Sequence, residues 1–179
     1  KEKVKRLFAE ESYLSKLDFD AAKANAKIPV TNVSWFAAMA YCKSQNKRLP
    51  TLDEWEYVAL ASQTEADARK TPSFNQFILD WYERPKNGSP QIGSTYKNFW
   101  GVYDLHGLIW EWTLDFNSVL MSGESRKDGS TDRNLFCGSA SIGAADLMNY
   151  AAFIRYAFRG SLKARYCVQN LGFRCVKDP

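Results

Sequence analysis

Two helix starts stand close together in "VSWFAAMAYCKSQNKRLPTLDEWEYVALAS", and no other feature restricts the fold as much. Ser34 precedes a stretch in which Trp35, Met39 and Cys42 recur at i, i+4 and i+7. That spacing predicts a helix over 34–45 with Ser34 as its cap and those three side chains on one buried face. Thr51 and Glu54 then form a T-x-x-E capping box just after Pro50, which predicts a second helix over 52–61 with Trp55, Val58 and Ala59 turned inward. The short Lys-Arg-Leu-Pro link between them makes the two helices one compact unit.

Elsewhere the periodicity is weaker. Residues 1–27 read as a loosely helical peripheral segment rich in Ala, Lys and Asp. Pro72, Pro85, Gly88, Pro90 and Gly93 predict an irregular chain over 63–98. "GVYDLHGLIWEWTLDF" is aromatic-rich with a turn at Gly107, and 118–133 is a polar loop. "NYAAFIRYAFRGSL" reads as helical, with Tyr150, Ile154 and Ala157 or Phe158 on one face, and "VQNLGFRCV" as a short strand. There is no internal repeat. These segments predict an α+β fold, loop-rich, with small sheets and two main helices, in a single domain over 1–179.

Composition removes several function classes. A net charge of +4 with interspersed signs gives no basic face for nucleic acid. No apolar run approaches the roughly 20 residues of a membrane-spanning helix. The opening "KEKVKRLFAEESYL" lacks the apolar core of a signal peptide, and the expectation is that residues upstream are missing. One histidine, His106, rules out a three-His metal site made by this chain alone; it is expected in a surface turn. Phe99, Trp100, Trp110 and Trp112 are expected in the core. Arg155, Arg159 and Arg174 are expected to pair with carboxylates such as Glu54, Glu56 or Glu111. Cys42, Cys137, Cys167 and Cys175 allow three pairings and form no C-x-x-C motif. Isolated thiols in a cytosolic protein and one or two disulfides in an exported one both stay open.

Three segments in order, "VSWFAAMAYCKSQNKRLPTLDEWEYVA", "GVYDLHGLIWEWTLDF" and "NLGFRC", resemble the formylglycine-generating enzyme family, also called sulfatase-modifying-factor domains. The family patterns are "VSW-x-x-A-x-x-Y-C", "G-K-R-L-P-T-E-A-E-W-E-Y", "Y-D-M-x-G-N-V-W-E-W" and "GFR". The resemblance covers 28–176; the family's usual opening is absent. It implies a C-type-lectin-like fold and, in active members, an oxidase in which two cysteines bind Cu(I) and convert a substrate cysteine to formylglycine. Soft thiolates suit Cu(I). Aligned from "CGS" and "RYA", the positions matching those two thiols fall at Ile142 and Phe153. The resemblance also implies that Cys42 and Cys175 pair in a structural disulfide. A family Ca2+ site is weakened because Leu108 stands where the family has Asn, leaving Glu111 as its candidate ligand. A narrower similarity is to a NirV-like bacterial subgroup that accompanies copper nitrite reductases and other respiratory proteins.

Two function classes follow. One is a non-catalytic accessory or structural module with a protein partner in an exported, periplasmic assembly. The other is a copper- or thiol-dependent oxidase using Cys137, with Cys167 as its second ligand.

Overall fold

A computed structural model of the protein describes residues 27–83, 91–117 and 147–178. Helix α1, Trp35–Ser44, is capped by Ser34, whose hydroxyl accepts from the Ala37 amide at 3.3 Å. Helix α2, Leu52–Ala59, starts on the complete capping box: Thr51 Oγ1 accepts from the Glu54 amide at 3.2 Å, and Glu54 accepts from the Thr51 amide at 2.8 Å. Both helices therefore form where local side-chain caps satisfy otherwise orphaned amides. On α1, Ala38 and Cys42 are buried, while Trp35 and Met39 pack half-buried against the same core. On α2, Trp55 and Ala59 point inward.

The described residues hold four helices rather than two main ones. Helix α3 spans Pro72–Glu83, inside the stretch expected to be irregular. Pro72 is its first residue, where a missing N–H breaks no intrahelical bond and the fixed φ favours the helix. Phe74, Ile78 and Leu79 then bury one face. Strand β1 is Trp110–Trp112. Helix α4 is Leu147–Ser161, packed on α3 through Ala151 beside Phe74 and Ile78. Its inward stripe differs from the expected one: Tyr150 is exposed, and Ala151, Arg155 and Arg159 are buried at i, i+4 and i+8. Strand β2, Leu171–Phe173, pairs parallel to β1, with Trp110 opposite Leu171 and Trp112 opposite Phe173.

This two-stranded sheet sits on the main core of Val33, Ala38, Cys42, Leu49, Trp112 and Leu171. The Trp112 indole donates to the Val33 carbonyl at 2.9 Å, and that of Trp35 to Thr113 at 3.0 Å. Trp110 lies between Tyr82 and Phe158, with centroids 5.2 and 4.2 Å away. Phe99 and Trp100 correct the expectation of a core position: they are 51% and 45% exposed. The loop carrying them is held by Asn98, whose side chain bonds the Val58 carbonyl and the Val102 amide. The backbone positions these rings outward, and their apolar character alone could not show that.

Candidate functional site

Cys42 Cα lies 5.5 Å from Cys175 Cα, and the two sulfurs form a disulfide. It ties α1 to the residue two places beyond β2, and antiparallel pairing of Arg48 with Val176 continues the tie. The neighbouring Arg174 forks onto Glu111 of β1, with Nε to Oε2 and Nη2 to Oε1 each at 2.7 Å. Glu111 Oε2 also accepts from the Trp55 indole at 2.7 Å. A guanidinium thus lies against both carboxylate oxygens. That arrangement does not suit a Ca2+ ligand, which needs oxygens turned toward a cation and away from competing donors. Among the described residues no group of three or more His, Cys, Asp or Glu is placed to hold a metal.

A second polar node lies on the far side of Trp55. Glu56 of α2 binds two arginines of α4, with Arg155 Nη2 at 2.7 Å and Arg159 Nη1 at 2.6 Å. Burial pushes the Glu56 carboxyl up, but the two guanidiniums outweigh it and hold the group below the ordinary carboxylate range. Arg159 also stacks over the Trp55 ring at 4.6 Å. Glu54 pairs instead with Arg48 at 2.6 Å, near the surface. The spacing of Arg155 and Arg159 could have revealed a paired stripe, but their partner is remote in sequence.

His106 is corrected from surface to core. It is 1% exposed, and its Nε2 lies 3.0 Å from the Ala59 carbonyl. A carbonyl only accepts, so the neutral ring donates there from Nε2. Burial, with Arg155 nearby, pushes its pKa down to about 3. Nδ1 has no partner. Among the described residues, Cys42 and Cys175 are bonded to each other and Cys167 is half-buried with Sγ 3.8 Å from the Arg165 carbonyl; Cys137 lies outside the described residues. Ile142 does too. Phe153 lies half-buried on α4 and offers no donor to a metal.

Between the disulfide, the Glu111–Arg174 pair and the segment before α1 lies a cleft of about 560 Å³. Pro29, Val30, Tyr41, Ile109 and Phe173 supply apolar walls. No described helix is long and apolar enough to cross a membrane.

The model of the sulfatase-modifying factor enzyme 1-like domain matches residues 10–179. The chain belongs to that family. The mouse protein named inactive C-alpha-formylglycine-generating enzyme 2 is 30% identical over 167 residues, covering 85% of this chain and 50% of that protein. The mouse formylglycine-generating enzyme is also 30% identical, over 84% of this chain and 44% of its own. The formylglycine-generating enzyme of Streptomyces coelicolor is 32% identical, over 84% of this chain and 52% of its own. The chain thus spans about half the length of the curated relatives it matches. No solved structure matches it. Within this family, the chain is an α+β, loop-rich domain with a disulfide between Cys42 and Cys175.

Proposed function

We propose that this formylglycine-generating-enzyme-like chain is a non-catalytic accessory or structural module of an exported assembly. The observation that carries this reading is the pair Ile142 and Phe153 at the positions matching the family's copper-binding thiols. Neither side chain can ligate a metal, and the reaction needs two thiolates on one soft ion. Cys42 and Cys175 cannot substitute for them while joined in a disulfide. That bond supports an oxidising, periplasmic location. The reading includes the family's C-type-lectin-like fold in a single domain over 1–179. It also includes kinship with the NirV-like subgroup and, with it, a partner in a respiratory or copper-enzyme assembly. A relative at 30% identity whose name marks it inactive supports the non-catalytic part of this reading.

The test incubates the full chain with copper and a peptide containing C-x-P-x-R, and follows the peptide cysteine by mass spectrometry. Unchanged cysteine is expected. Copper-dependent conversion that disappears in Cys137→Ser would overturn the reading and favour an oxidase built on Cys137, with Cys167 as the second ligand.

A further inference from the structure

The two ends of the Cys42–Cys175 disulfide are covered unequally. Cys42 is wholly buried in the main core. Cys175 is half-buried and forms part of the wall of the cleft of about 560 Å³, to which Cys42 contributes nothing. Val30, Tyr41, Ile92 and Tyr103, whose exposures run from 45% to 57%, line the same cleft. The space is ample for a small molecule, and the end of the disulfide that such a molecule meets is Cys175.

A thiolate breaks a disulfide at the sulfur it can reach, and access governs the rate together with ionisation. Asp104, Glu111 and Arg174 are the charged lining residues of the cleft. The carboxylates are occupied: Asp104 accepts from Gly93 and Thr95, and Glu111 from Arg174 and Trp55. Arg174 precedes Cys175 in the chain, is 25% exposed, and its Nη1 bonds no described residue. One cationic donor is therefore left to stabilise an incoming thiolate. Two carboxylates against one guanidinium disfavour any further negative charge, so the reagent that fits carries none beyond its thiolate. On the core side, Cys42 Sγ lies 4.0 Å from the Arg174 carbonyl, an acceptor for the S–H that a broken bond leaves behind. Arg174 on Glu111 and Val176 on Arg48 hold the residues either side of Cys175, so the strand end stays seated when the sulfur changes partner.

We propose that Cys175 is a modification site: a low-molecular-weight thiol entering the cleft attacks its sulfur and stays there as a mixed disulfide, releasing Cys42 as a thiol. The reagent's thiolate forms an S–S bond to Cys175 Sγ as the Cys42–Cys175 bond breaks. The electron pair leaves on Cys42 Sγ, which takes up the proton that the reagent lost. One disulfide replaces another, so the exchange consumes no further oxidant or reductant. The staple is thereby opened from one end only, without the chain unfolding.

The first measurement treats the full oxidised chain with 2-mercaptoethanol, a small neutral thiol, without denaturant. Samples are quenched with acid, and freed Cys42 is labelled with a maleimide after unfolding. The rate of disulfide loss should rise with thiol concentration past the global unfolding rate, which urea jumps supply. A rate that levels off at the unfolding rate, or no loss at all, overturns the proposal, because only the unfolded chain then reacts. Ile92→Trp and Val30→Trp enlarge exposed side chains on the cleft, so folding is retained, and each should slow the loss about tenfold. Phe99→Ser, on the separate aromatic loop, should leave the rate unchanged. Equal rates in all three variants would show that the thiol does not enter through the cleft. The second measurement uses 2-hydroxyethyl disulfide and peptide mapping by mass spectrometry. In Cys42→Ser the adduct should form on Cys175, while in Cys175→Ser the buried Cys42 should stay unmodified. The reverse pattern, or equal labelling of the two, overturns the assignment to Cys175. Should either cysteine variant fail to fold, the rate law of the unaltered chain decides.

Discussion

Glu56 carries two buried guanidiniums on one carboxylate. Removing it strands two charges in a low-dielectric site, so Glu56→Gln should destabilise the protein by about 3–5 kcal/mol, seen as a lower urea midpoint at unchanged slope. Its carboxyl titrates below the ordinary range. The stability it contributes is therefore complete above about pH 4.3 and lost as pH falls through the lower folded value. His106 acts over a higher window. The unfolded ring takes a proton near pH 6.5, whereas the folded ring stays neutral down to about 3. Between those values the unfolded chain binds more protons, so stability falls with falling pH, at up to about 1.4 kcal/mol per pH unit. Urea midpoints measured from about pH 7 to about pH 4 should show this slope, and His106→Gln should remove it. A slope unchanged in the variant would assign it to other groups.

The helices differ in how far their own residues explain them. Thr51 and Glu54 cap α2 through contacts three residues apart, so that start is visible in the sequence. Thr51→Ala should cost about 1 kcal/mol in a denaturation midpoint. Pro72 was misleading because the same residue ends one helix and begins another, and only the run of Phe74, Ile78 and Leu79 against α4 decides between them. The inward stripe of α4 was hidden for a related reason: apolar counting turns arginines outward, while Glu56, on another helix, draws Arg155 and Arg159 in. In β2, a Cβ on Gly172 would run into the Val30 carbonyl oxygen and the Ile109 side chain. The backbone oxygen cannot move aside as a side chain would. Gly172→Ala should cost about 1–3 kcal/mol and shift the amide resonances of β1 and β2; neutral behaviour would show that the Val30 segment is not seated there.

At the scale of the whole molecule, the Cys42–Cys175 bond closes a loop with a sequence separation of 133. The loop-entropy model puts its contribution at about 5 kcal/mol. Reduction, or the Cys42→Ser and Cys175→Ser double variant, should lower the thermal midpoint markedly, and calorimetry with and without reductant checks this. An unchanged midpoint would mean that the core of Leu49, Trp112 and Leu171 holds the chain ends together unaided. Residue types and local spacing were enough to determine the starts of α1 and α2 and the short last strand, because caps and periodicity are properties of neighbouring residues; the family was legible only through the resemblance of three motifs. The tertiary structure alone decided that His106 is buried, that Trp100 faces solvent, that Glu111 serves Arg174 and Trp55, and that Val30, Tyr41, Ile92 and Tyr103 share one cleft. Those outcomes depend on which distant segments meet, and burial and ion pairing are set by that meeting rather than by any residue's own preference.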